Sequence, residues 1–176
     1  MKDEKGGSMK KRINIIGLNV CLLCLAAMMS SGMTIAGETK DMGGWGLDGA
    51  YNRFYDAAEL DSFKAKVVKI IEAAPMPGMS PGVILEVRES NVDSETTEIH
   101  VCPTWYRDVA GIGLKRGDRV KIRGVWAEIN GKDVFMASKI KKGDYYVLKV
   151  RLTKDGTPFW TMSAEQVAKE QQDKDE

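Results

Sequence analysis

Side chains that bind soft metals occur at two places along the chain. His100 and Cys102 are two positions apart, so a β-strand would point both side chains to the same face. Met76 and Met79 stand in a proline- and glycine-rich segment that is typical of a loop. Imidazole and sulfur ligands suit Cu(I) or a non-covalent haem. We expect no cofactor, because buried methionines and a buried cysteine explain these residues as well, and keep a copper or haem site as the alternative.

Catalytic motifs are absent from the sequence. Cys102 and His100 are the only conceivable pair of nucleophile and base, and no orienting acid or oxyanion site accompanies them. The chain lacks a G-x-S-x-G elbow, a P-loop and a G-x-G-x-x-G turn that opens a helix. No C-x-x-C-H follows position 36, which excludes covalent haem. The sequence therefore predicts a protein that is not an enzyme.

Positive charge is concentrated in one part of a nearly neutral chain. The whole chain has 26 Lys and Arg against 25 Asp and Glu. Residues 115–154 carry 12 basic and 4 acidic residues, whereas residues 38–98 carry 6 and 12. Within the basic part, Arg119, Lys121 and Arg123 alternate with apolar residues, which places them on one face of a strand. Three more lysines follow nearby: Lys139, Lys141 and Lys142.

This basic strand face predicts a docking surface for an acidic partner. Trp105 and Tyr106 add aromatic side chains of the kind that are enriched at protein interfaces. The expected partner is an exported protein, with a cytochrome as one candidate. A basic face could also follow phosphates, but single-strand binding needs exposed aromatic platforms and alternation points Trp126 inward. We therefore do not expect nucleic acid as the partner.

The beginning of the chain has the features of a secretory signal peptide. A basic cluster at 10–12 precedes an uncharged stretch at 13–29, and Thr34-Ile35-Ala36 forms a small-residue cleavage site before Gly37. The alternative is an uncleaved membrane anchor. Cleavage would remove two of the three cysteines, leaving Cys102. The prediction is an exported, periplasmic protein with no stable membrane span.

Alternation of apolar and charged residues predicts strands from position 63 onward. Phe63, Ala65 and Val67 alternate with lysines, and the paired apolar residues that follow indicate a bulge in a long first strand. Further strands are predicted at 83–88, 96–102, 119–126 and 133–140, and a turn at Gly143-Asp144 leads into a last stretch at 145–152. Asn130-Gly131 is a strong hairpin signal, and Ser163-x-x-Gln166 is a capping box that begins a short C-terminal helix.

The order of these elements indicates a fold. Trp105, Val109 and Ile112 recur at helical spacing and predict a short helix between strands three and four. Five strands with a helix at that position match the Greek-key barrel of the OB fold, and a β-sandwich is the alternative. The expected organisation is a signal peptide at 1–36, a glycine- and aromatic-rich extension at 37–62, a barrel at 63–152 and a polar tail at 153–176.

Several strings also resemble bacterial exported OB-fold proteins. The likeness is carried by the following strings: Lys115-Arg116-Gly117-Asp118-Arg119-Val120, Tyr51-Asn52-Arg53-Phe54-Tyr55-Asp56, Met76-Pro77-Gly78-Met79 and His100-x-x-Pro103-x-Trp105-Tyr106. They look like a subgroup that is loosely labelled "DNA-binding" and occurs beside multihaem cytochromes. The resemblance covers about 100 of the 140 residues after position 36. It implies the fold and a non-catalytic binding role, and leaves the ligand open.

Overall fold

The computed structural model describes residues 41–90 and 95–172. The predicted signal peptide and its cleavage position lie outside these residues. The described strands are β1 (Leu60–Ala73), β2 (Gly82–Glu89), β3 (Thr97–Pro103), β4 (Arg119–Ile129), β5 (Lys132–Lys142) and β6 (Tyr146–Lys149). Three 3-10 turns span Tyr51–Phe54, Ala57–Glu59 and Phe159–Thr161, and helix α1 spans Ala164–Gln172.

The six strands form one sheet that closes on itself. Their order is β3-β2-β1-β4-β5-β6, and neighbours in this order are antiparallel. A parallel pairing of β3 with β5, at Ile99–Phe135 and His100–Met136, joins the first five strands into a ring. The predicted mostly-β architecture is confirmed, with a sixth strand added at β5. The predicted stretch at 145–152 is shorter as strand β6, and an isolated bridge follows between Arg151 and Pro158.

The core fills the ring with alternate residues of its strands. Its most deeply buried members include Ala65, Val67, Leu85, Val87, Ile99, Val101, Ile122, Phe135 and Ile140. β1 shows the predicted bulge, because its pairing with β2 shifts between Val67 and Lys69. In an even alternation, Ile70 would point outward like Lys64 and Lys66. The extra residue at this shift reverses the alternation, so Ile70 packs against the core.

A second bulge lies in β5 at Ser138. Pairing with β4 passes from Arg123–Lys139 directly to Gly124–Ala137, which leaves Ser138 without a partner in the ladder. Its hydroxyl donates to the Arg123 carbonyl at 3.1 Å, so the polar group is satisfied. The bulge places Lys139 on the face opposite to Ala137, although an even alternation would put both on the same side.

The predicted helix around Trp105, Val109 and Ile112 is wrong. The chain between β3 and β4 consists of turns. Gly113 and Gly117 have φ angles of +64° and +92°, which are left-handed conformations that interrupt a right-handed helix. The spacing of apolar residues is therefore satisfied by a loop whose Ile112 is buried.

Two local predictions are confirmed. Asn130 and Gly131 have φ angles of +54° and +74° between β4 and β5, as a two-residue hairpin turn requires. At the start of α1, Gln166 N–H donates to the Ser163 hydroxyl oxygen and Ser163 N–H donates to Gln166 Oε1, which completes the capping box. Among the described residues, no helix is long and apolar enough to cross a membrane.

Gly124 should tolerate no side chain. A β-carbon there would overlap the Met136 carbonyl oxygen and lie 2.9 Å from Ala137 Cα, and neither backbone group can move without opening the β4–β5 ladder. We expect Gly124→Ala to lower the free energy of unfolding by roughly 3 kcal/mol in urea denaturation. Gly46→Ala is the control, because nothing lies within 4 Å of its β-carbon position. Equal stability of the two variants would contradict the close approach.

Candidate functional site

Cations stand opposite one another across four strands of the sheet. The register defines two rows, Arg88–Lys66–Arg119 and Lys64–Lys121–Lys141. Directly paired residues of neighbouring strands point to the same side of a sheet. All six side chains are exposed. We call these six residues the basic face.

A third row continues the pattern in a more covered position. It consists of Arg123, Lys139 and Lys149 on β4, β5 and β6. Lys139 is only 6% exposed, and the Lys149 ammonium donates to the Glu170 carbonyl of α1 at 2.7 Å. This row borders the basic face and supports it with further positive charge.

An open groove of about 1490 Å³ runs along the basic face. Its lining includes all six cations of the face together with Arg116. Among the residues that the structure describes, the carboxylates in the lining are those of Glu89 and Asp144. A groove of this composition favours an anionic partner, since the low-dielectric walls concentrate the field of the cations.

The basic face has an energetic cost for the protein alone. Like charges directly opposite on neighbouring strands are destabilising, on the order of 0.2–1 kcal/mol for each pair. Within residues 41–90 and 95–172, no carboxylate lies within ion-pair distance of the six cations. Solvent ions or a bound anion must therefore offset the repulsion among these six cations.

The structure brings some of the predicted docking residues together and separates others. Arg119, Lys121 and Arg123 share the outer side of β4, as the alternation predicts. Trp105 is 41% exposed in the loop after β3. Tyr106 packs on Trp160 with their ring centroids 5.7 Å apart, in an aromatic cluster away from the two rows.

Sequence reasoning missed half of the basic face. Lys64 and Lys66 belong to β1 and Arg88 belongs to β2, far along the chain from the basic strand β4. The local signal was the alternation of lysines in β1. It indicates that this face of the strand points outward, but it does not indicate which strands pair with β1. Cross-strand register alone brings these residues next to β4.

The opposite outer surface of the ring is covered by aromatic residues from both ends of the described chain. Trp45 lies against Gly82, where a β-carbon would overlap its ring. Its indole N–H donates to the Ser80 carbonyl at 2.9 Å. The Trp160 indole N–H donates to the Trp45 carbonyl at 2.8 Å, and the two rings pack edge to face. The outer side is therefore buried at Gly82, where β2 begins.

A buried arginine lies within this cover. Arg151 is 3% exposed, and its guanidinium lies over the rings of Trp160 and Tyr51 at 4.7 and 5.6 Å from their centroids. It donates to Asn52 Oδ1 at 2.5 Å and to the Gly156 carbonyl at 3.3 Å. Burial lowers the pKa of Arg151, and raises that of Tyr51 to about 12. The contacts hold the N-terminal segment and the segment after β6 against each other.

His100 links this cover to the surface through a chain of hydrogen bonds. Its Nε2 lies 2.9 Å from Glu98 Oε1, and its Nδ1 lies 3.1 Å from the Tyr51 hydroxyl. A carboxylate only accepts, so Nε2 carries the proton and Nδ1 accepts from Tyr51. Burial lowers the pKa of His100 despite the nearby carboxylate. Burial of Glu98 acts to raise its pKa, but hydrogen bonds from Lys132 and His100 outweigh it and lower that pKa.

The four residues of the predicted metal site have protein partners. Both ring nitrogens of His100 are engaged, so a metal would have to displace Tyr51 or Glu98. Cys102 is fully buried, and its thiol donates to the Arg107 carbonyl at 3.6 Å. Met76 and Met79 are partly buried against the core. The described residues contain no group of three or more His, Cys, Asp or Glu side chains placed to hold a metal ion.

Stability should fall when His100 is protonated. The pKa of His100 is lowered by burial, so the folded protein binds this proton more weakly than the unfolded chain, whose pKa is near 6.5. The contribution is complete above pH 6.5 and is lost as the pH falls below it. Since the chain has a single histidine, urea unfolding at pH 7.5 and 5.5 isolates it. His100→Gln should show little change across this interval; an equal decline in both proteins would contradict the assignment.

The Cys102 thiol should be unreactive in the folded protein. Burial raises the pKa of this thiol to about 12, so almost no thiolate is present near neutral pH. In a variant with Cys21→Ser and Cys24→Ser, we expect a chromogenic disulfide reagent at pH 8 to label Cys102 only in denaturant. Adding Cys102→Ser to that variant should give no signal in either condition. Rapid labelling of the native protein would return Cys102 to the candidates for metal binding.

Comparison with known proteins places the sequence in a family. A profile of the MamS/MamX magnetosome protein family matches residues 59–147. No curated protein matches the sequence. Among solved structures, the protein PriB of Ralstonia solanacearum, at 1.8 Å resolution, is similar over 49% of this chain and 98% of its own. The sequence identity is 13% and the TM-score is 0.37, so this likeness adds nothing to the topology described above.

The family match covers half of the chain and the whole strand ring. It begins at Glu59, just before β1, and ends at Val147 after β5. Both rows of the basic face lie inside it. The predicted resemblance to a bacterial family is confirmed at this level, and the chain belongs to the MamS/MamX magnetosome protein family.

Proposed function

We propose that this protein is a non-catalytic, exported OB-fold binding module that docks an acidic partner protein on its basic face. The observation that carries the proposal is the pair of cation rows in register across β2, β1, β4 and β5. A surface that repels itself in the free protein is stabilised by a partner that supplies carboxylates.

The strand pairings support the OB part of the proposal. β1, β2 and β3 form an antiparallel meander, and β4 returns to pair with β1. β5 then pairs with both β4 and β3, which closes a five-stranded Greek-key ring. OB barrels usually bind ligands on the side of strands two and three. Here Trp45 and Trp160 cover the start of β2, so the proposed docking surface lies on β1, β4 and β5 and reaches β2 only at Arg88.

The proposed location rests on the sequence and on the family. The basic cluster at 10–12 and the uncharged stretch at 13–29 support export through a cleaved signal peptide. The family is named for the magnetosome. We propose that the partner is an exported acidic protein associated with that compartment, such as an electron-transfer cytochrome.

Nucleic acid fits the basic face less well than an acidic protein does. Single-strand binding relies on exposed rings on which successive bases stack. Trp126 and Tyr145 are the two rings considered for this role. The Trp126 ring stacks on Phe63 at 5.9 Å and meets Phe135 edge to face at 5.1 Å, which leaves the exposed ring of Tyr145 without a second platform from Trp126. An oligonucleotide is therefore the competing ligand in the test.

The proposal predicts salt-dependent binding that needs both rows. The probe is a fluorescein-labelled poly-glutamate peptide, followed by fluorescence anisotropy at low and moderate salt. Lys66→Gln with Lys121→Gln removes the central cation of each row, and we expect at least a tenfold weaker Kd and a shallower salt dependence. The same variant should unfold at a higher temperature, because it removes opposed like charges.

The matched control changes net charge equally away from the face. Lys154 and Lys169 are exposed and lie outside the groove lining, so Lys154→Gln with Lys169→Gln should leave the affinity close to that of the unmodified protein. Equal losses in the two double variants would show that only net charge matters and would overturn the docking face. Tighter binding of a single-stranded oligonucleotide of equal charge would replace the acidic protein with nucleic acid.

A further inference from the structure

Two exposed apolar side chains lie beside the basic face. Val147 on β6 is 46% exposed, and Tyr145 in the preceding turn is fully exposed at 101%. Val147 pairs directly with Lys141, the last cation of its row. The row Lys64–Lys121–Lys141 therefore has an apolar residue, Val147, as its fourth member at the edge of the sheet.

The turn before β6 fixes the outward position of Tyr145. Gly143 has a φ of +61° and lines the groove together with Asp144. Tyr146, which follows Tyr145 in the chain, packs inward, and its hydroxyl donates to the Ile112 carbonyl. Anchoring of Tyr146 leaves the neighbouring ring of Tyr145 in solvent at the end of the groove.

We propose that Tyr145 and Val147 form the apolar anchor of the docking face, so that the partner presents an apolar side chain directly beside its carboxylates. This inference rests on the proposed docking function and specifies the chemistry of the partner. Tyrosine is enriched among the residues that dominate binding at interfaces, whereas exposed charges act mainly on the rate of association and its salt dependence. The cations attract the partner, and the anchor holds it.

The two parts of the surface should act on different rate constants. Exposed charges of the basic face steer encounter, so their removal lowers the association rate in a salt-dependent way. Contact between the partner and the Tyr145 ring buries apolar surface only after docking. Removal of this ring therefore raises the dissociation rate, and this increase depends little on salt. A residue that only affected folding would not produce this division.

The experiment compares two peptides on the immobilised full-length protein by surface plasmon resonance. One is a poly-glutamate peptide, and the other is the same peptide ending in Leu-Phe. We expect the apolar ending to tighten binding about tenfold, through slower dissociation. Tyr145→Ser should abolish this gain without changing the binding of plain poly-glutamate, and Tyr145→Phe should keep it. Phe54→Ser removes another exposed ring and is the matched control, with the gain intact.

The outcomes separate this inference from the docking function itself. If both peptides bind equally and Tyr145→Ser changes neither, the anchor is overturned while the basic face stands. If the Leu-Phe gain survives Tyr145→Ser but is lost in Phe54→Ser, the anchor lies elsewhere and the inference is also overturned. If neither peptide binds, the docking function fails, and the anchor fails with it.

Discussion

The bulge at Ser138 is the constraint on which the two sides of this protein depend. Before it, Phe135 and Ala137 point into the ring; after it, Lys139 and Lys141 point outward. These four residues occupy odd positions, so in an uninterrupted strand they would all point to the same face. Either Lys139 and Lys141 would then point into the ring, or Phe135 would point out of it. The extra residue costs one position in the ladder. The hydrogen bonds of its hydroxyl and carbonyl, to the neighbouring strand and to the segment after β6, offset that loss.

The bulge also ties the basic face to the buried cover. The Ser138 carbonyl accepts from the backbone N–H groups of Val150 and Arg151, at 2.9 and 3.2 Å. This carbonyl therefore fixes the backbone of Arg151, whose guanidinium stacks on Tyr51 and Trp160. One side of the ring is thus sealed by rings and a buried cation, and the other keeps its lysines in solvent. A partner that needs a charged, accessible surface has only the second side available on these strands.

Local patterns in the sequence were sufficient for features that depend on neighbouring residues. The β1 bulge, the Asn130-Gly131 turn and the capping box each depend on residues a few positions apart, and all were predicted. The helix that was predicted between β3 and β4 is absent, because the apolar spacing took no account of Gly113 and Gly117, whose backbone is left-handed. The Ser138 bulge was missed for a different reason: nothing in its own strand requires it, and only pairing with Arg123 and Gly124 reveals it.

The candidate site was harder to predict than the fold because its parts meet only through long-range register. His100 and Cys102 share a strand face, as expected. Tyr51, however, lies 49 positions away in the sequence and hydrogen-bonds to His100 Nδ1, a nitrogen that a metal would otherwise use. The reverse holds for the two lysines of β1, which indicate nothing by themselves but form a third of the basic face because they pair with β4. The proposed docking function therefore depends on which outer surface the segments before β1 and after β6 leave uncovered. The two rows of like charge on the basic face lower the stability of the fold slightly. This loss of stability is expected if the cations are retained for binding rather than for stability.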